Sequence, residues 1–74
     1  MAVDTQQLQV DLALHGDIIY CDEHNESYYL VVMENVADHN TVHDLIDSYV
    51  NSEYPNQTNC TLVDGILKCE KSKQ

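Results

Sequence analysis

Cys60-Thr61-Leu62-Val63-Asp64-Gly65-Ile66-Leu67-Lys68-Cys69 sets the dipeptide Asp64-Gly65 between two apolar runs. An Asp-Gly pair tolerates the positive φ angles of a type I′ turn, and with apolar flanks it is the strongest short-range hairpin signal a sequence offers. Strands are expected near residues 59 to 63 and 66 to 70. In that register Val63 and Ile66 form the hydrogen-bonded pair, so Cys60 and Cys69 fall at a close, non-hydrogen-bonded pair. A disulfide fits there geometrically, whereas a reducing cytosol favours two thiols on the face of Leu62 and Leu67.

Upstream of this hairpin the periodicity changes. Val42, Leu45, Ile46, Tyr49 and Val50 fall at i, i+3, i+4, i+7 and i+8, which makes one apolar stripe of a helix over residues 40 to 54. Asp38, Asn40 and Thr41 are all competent N-caps, Asp44 follows Thr41 at capping-box spacing, and Pro55 ends the run. Further upstream, Tyr28 to Met33 is dense in β-branched and aromatic side chains, as strands are. Leu8, Val10, Leu12 and Leu14 alternate through residues 8 to 15, and Gly16-Asp17 leads into Ile18 to Cys21. That pattern predicts a strand, a type II′ turn and a second strand, with Leu14 opposite Ile19 and Leu12 opposite Cys21.

The resulting order, β-β-β-α-β-β, predicts an α+β fold: a small, mostly antiparallel sheet with one amphipathic helix packed on one face. With 74 residues there is one modest core, so a single domain over residues 1–74 is expected, with frayed ends at 1–6 and 72–74. Following strand direction, Asp17, Glu34, Asp38, Asp44 and Asp64 gather at one pole. Asp22, Glu23, Glu26 and Glu53 gather at the other.

Charge is the unusual quantity. Thirteen Asp and Glu stand against three Lys and no Arg, a formal net charge of -10, and all three lysines (68, 71 and 73) lie in the last seven residues. Twelve carboxylates therefore precede the first permanent cation. Self-repulsion of this kind does not help a chain fold, but it repels nucleic acid and anionic lipid and attracts basic proteins. Direct binding to nucleic acid or to a membrane is thus disfavoured, and a monomer or weak homodimer is expected. The opening residues carry no basic stretch followed by an apolar run, so the expected localisation is cytoplasmic.

Candidate chemistry is sparse. His39-Asn40-Thr41-Val42-His43 has two imidazoles four apart, but a zinc-peptidase helix needs Glu after the first His, where Asn40 stands. No catalytic residue, metal or cofactor is expected, and no Cys, Ser or Lys shows the neighbour pattern of an activated nucleophile. Asp44 and Asp47, three apart on the polar helix side, are spaced like neighbouring phosphates. With Asp17, Glu34, Asp38 and Asp64 they make up the expected partner-binding set. The functional expectation is a small inhibitor that mimics nucleic acid and blocks a basic nucleic-acid-binding protein or nuclease. By analogy of size and charge, this is the work of phage-encoded anti-CRISPR factors or nuclease-toxin immunity proteins. A structural or assembly accessory that binds through a sheet edge or exposed tyrosines, acidic only for solubility, is the competing expectation.

Overall fold

The computed structural model describes residues 5–24, 28–50 and 58–72. Their order is α1 (Thr5–Leu12), β1 (Asp17–Glu23), β2 (Tyr28–Glu34), α2 (His39–Val50), β3 (Thr58–Val63) and β4 (Ile66–Ser72). The four strands form one antiparallel sheet in the order β1-β2-β4-β3. The fold is α+β, as expected. β3 runs parallel in direction to β2 but does not touch it, because β4 folds back between them.

The first expected strand is a helix. Leu8, Val10, Leu12 and Leu14 satisfy a period of two, yet Leu8 and Leu12 are also one helical turn apart. Three glutamines and two leucines favour the helical option over Thr5–Leu12. Burial shows which pattern the chain uses: Leu8 and Leu12 are fully buried, while Val10 and Leu14 are 61% and 79% exposed. Hydrogen bonds from Ala13 N to the Gln9 carbonyl (2.9 Å) and His15 N to the Leu12 carbonyl (2.9 Å) close the helix. The Gln9 side chain then donates to the Cys21 carbonyl at 3.1 Å and ties α1 to β1. The meander is thus a two-stranded hairpin preceded by a helix, and Leu12 meets the core from a helix rather than as a strand neighbour of Cys21. Thr5, Gln6 and Ser72, expected in frayed ends, lie within α1 and β4.

Gly16-Asp17 is correspondingly not a hairpin turn. Gly16 links α1 to β1, and a β-carbon there would stand 2.9 Å from Val36 Cγ2 and 3.0 Å from the Glu34 carbonyl oxygen. Close approach of the backbone demands this glycine. The expected turn at Asp64-Gly65 does form, with both residues at positive φ (52° and 79°) as a type I′ turn requires. Its register is the predicted one, with Val63 opposite Ile66 and Cys60 opposite Cys69. The two cysteines are joined by a disulfide across Cα atoms 4.0 Å apart, contrary to the expectation of free thiols.

Between β1 and β2 the register shifts from Ile18↔Met33 to Tyr20↔Val32. Ile19 is the extra residue of this bulge, and the shift turns both Ile18 and Cys21 towards the helices. α1 packs on β1, α2 packs on β3 and β4, and the helices touch each other, so both cover the same side of the sheet. The core between helices and sheet is Leu8, Leu12, Cys21, Tyr29, Val31, Met33, Val42, Ile46, Leu67 and Cys69. Asp38 is the N-cap: its carboxylate accepts from the Asn40 backbone N–H at 3.0 Å and the Thr41 hydroxyl at 3.2 Å. Pro55, expected to end the helix, lies outside the described residues.

Because Leu8 is buried and Val10 exposed on helix α1, Leu8→Ala should cost about 2–5 kcal/mol in urea unfolding, whereas Val10→Ala should change stability by less than about 0.5 kcal/mol. A strand would make the two losses alike. Gly16→Ala should cost about 1–3 kcal/mol through overpacking against Glu34 and Val36.

Candidate protein-docking surface

The acids expected at one pole are largely brought there. Asp17 and Glu34 are register partners across β1 and β2, and Glu34 is in turn opposite Ile66, which follows the Asp64-Gly65 turn. Asp38 caps α2 just after β2 ends, at the same end of the molecule. Asp17, Glu34, Asp38 and Asp64 are all exposed. Asp17 accepts a 2.8 Å hydrogen bond from the Asn35 side-chain amide, the residue at positive φ (56°) that turns the chain out of β2. Asp44 lies six residues beyond Asp38, about 9 Å further along the helix axis. Its side chain is 82% exposed, beside His43 Nδ1 at 3.2 Å.

Asp47 also makes structural contacts that the sequence did not suggest. Its Oδ1 accepts from Lys71 Nζ at 2.6 Å and from the Thr58 hydroxyl at 2.8 Å. Lys71 is fully buried and Asp47 is 32% exposed. The lysine is on β4 with the parity of Leu67 and Cys69, so its side chain enters the helix-covered side and needs a carboxylate there. The Lys71 ammonium first, and the Thr58 hydroxyl second, hold the Asp47 carboxyl below the usual aspartate range. His43 strengthens the same seam, with Nε2 3.2 Å from the Thr58 carbonyl oxygen. Asp47 therefore fastens α2 to β3 and β4. Sequence spacing placed it correctly on the helix but could not reveal a cation 24 residues away.

The two described lysines are thus committed away from the pole: Lys71 to Asp47, and Lys68 to Glu70 at 3.6 Å. At the opposite end, Asp22 and Glu23 are exposed on β1, while Glu26 and Glu53 fall outside the described residues.

Sequence reasoning also missed the side of the sheet that faces away from both helices. Cross-strand neighbours share a face, so three rows cross it: Asp17-Glu34-Ile66-Val63, Tyr20-Val32-Lys68-Thr61 and Asp22-Leu30-Glu70-Asn59. No described helix covers these rows. Val63 is 64% and Tyr20 40% exposed, Val32 and Ile66 are half-buried, and Leu30 is buried among its neighbours. The parity signal was present in the sequence, but it becomes readable only once both helices are known to share the other side.

Cys21 Sγ lies 3.5 Å from the Tyr29 hydroxyl, both buried. Burial pushes the phenol well above its ordinary value and raises the thiol too, the opposite of nucleophile activation. Among the described residues no cluster of three His, Cys, Asp or Glu side chains is placed to hold a metal ion. His39 is exposed, and His43 sits in the α2–β3 seam. No helix among them is long and apolar enough to cross a membrane. Comparison with protein-family models, with curated proteins and with solved structures gives no match.

The Asp47–Lys71 pair should dominate mutational sensitivity here. Asp47→Ala removes a carboxylate bound to a buried ammonium and should cost about 3–5 kcal/mol. Lys71→Met, which fills the same space with an apolar chain, should cost much less. Because Asp47 titrates lower in the folded than in the unfolded chain, its contribution is complete above the ordinary aspartate value of about 3.9 and disappears as pH falls through the lower folded value. Acid also relieves the molecule's self-repulsion, so the measurement is the difference between wild type and Asp47→Asn in urea unfolding. That difference should shrink below about pH 4.

Proposed function

We propose that this protein is a small acidic inhibitor that docks on a basic, nucleic-acid-handling protein and occupies the surface where nucleic acid would bind. The observation that carries the reading is the exposed group Asp17, Glu34, Asp38, Asp44 and Asp64, with both described lysines paired elsewhere, to Asp47 and Glu70. Carboxylates without local counter-charge produce a field that steers a positively charged partner and disfavours anionic ones. The reading assigns no catalytic residue, metal or cofactor. Its setting is the cytoplasm, and its finer form is a phage-borne antagonist of a CRISPR or restriction nuclease, or the immunity partner of a nuclease toxin. That form rests on analogy of size and charge.

A second reading, an assembly accessory that binds through a sheet edge, draws on β3. This is an edge strand whose Leu62 and Val63 are 57% and 64% exposed. An exposed edge of this kind can add a strand from another chain.

Salt separates the two. In the inhibitory reading, affinity for a basic nuclease should fall by roughly tenfold or more as added salt shortens the Debye length from about 10 Å at 0.1 M to about 3 Å at 1 M. Glu34→Lys with Asp44→Lys should weaken binding and restore the nuclease's access to DNA. Glu34 lies outside the Asp47 seam and Asp44 touches it only through His43, so the fold of the double variant is checked by circular dichroism. Binding unchanged by salt and by both reversals would favour the edge reading.

A further inference from the structure

The side of the sheet that no described helix covers supplies what the acidic pole lacks, an apolar centre. Tyr20 and Val63 are exposed on it, Val32 and Ile66 are half-buried and Leu30 is buried beneath them, and Asp17, Glu34, Asp22 and Glu70 flank them. Lys68 is the one described cation on this face, with Glu70 beside it at 3.6 Å. Four carboxylates thus stand against one ammonium around the apolar residues.

Charge selects among occupants. In a twofold dimer each copy would press this rim against its own duplicate, like against like. Nucleic acid and anionic lipid meet the same repulsion. A neutral apolar partner would strip water from the rim carboxylates and give nothing back. Lysine and arginine side chains answer both demands, since their aliphatic stems cover apolar surface while their heads reach the carboxylates.

We infer that this face is a docking surface for a partner protein presenting an apolar stripe flanked by lysine or arginine, the chemistry of a basic amphipathic helix. The inference rests on the proposed docking to a basic protein and adds where the two would meet. β1 to β3 spans three inter-strand steps, about 14 Å, which some ten helical residues at about 1.5 Å each would cross.

Two synthetic peptides of about 15 residues test it, identical in composition and charge. One arranges leucines in a helical stripe flanked by lysines; the other scrambles the stripe. Binding is followed by titration and by amide shifts in NMR at low salt. The striped peptide should bind roughly tenfold tighter than the scrambled one, with shifts at Tyr20, Val32 and Lys68. Tyr20→Ser with Val63→Ser, both at exposed positions and checked for folding by circular dichroism, should erase that preference. Equal affinity for both peptides, with shifts confined to Asp38 and Asp44, overturns the sheet-face docking and leaves the acidic-docking reading standing. Failure of both peptides to bind overturns both. Concentration-dependent dimerisation that shifts the same residues puts a second copy on the face and also overturns the inference.

Discussion

Lys71 is fully buried in a protein with few cations, and the Asp47 carboxylate at 2.6 Å helps make that burial tolerable. An ammonium taken out of water without a partner costs several kcal/mol, more than a small core has to spare. Thr58 and His43 join the same seam, so one polar network holds α2 to β3 and β4. Among the described residues no buried side-chain nitrogen or oxygen lacks a hydrogen-bond partner. Once α2 is fixed there, α1 has one place left on that side, over β1. The other side of the sheet is then left without a described helix.

Much of this was legible from residues alone because the signals were local. The Asp64-Gly65 turn, the register that pairs Cys60 with Cys69 and the stripe of Val42 and Ile46 each depend on neighbours a few positions apart. The first segment was not legible. Alternate apolar residues necessarily include pairs four apart, so Leu8 and Leu12 satisfy a strand and a helix equally, and only the composition between them favours the helix. The bond between the cysteines depends on redox chemistry, which register does not fix.

The candidate surface was legible in part for the same reason. Charge totals and strand direction place Asp17, Glu34, Asp38 and Asp64 together, since those follow from chain order. Asp47 shares its helix with Asp44 and has the same residue type, yet their surroundings differ because only one lies over β4. Lys71 carried the usable clue: it continues the inward parity of Leu67 and Cys69, and an inward lysine implies an inward acid.

The pole and the sheet face that no described helix covers are not separate features. The row Asp17-Glu34-Ile66-Val63 belongs to both, acidic at the β1 end and apolar at the β3 end. A purely electrostatic contact at the pole would be fast to form and quickly weakened by salt, because exposed charges are well screened. Apolar burial next to it would add affinity that screening does not remove, with the carboxylates setting orientation and excluding anionic competitors. The single-sided placement of the helices is what allows both on one surface. Had either helix crossed to the other side, the acids would remain but would have no apolar ground beside them.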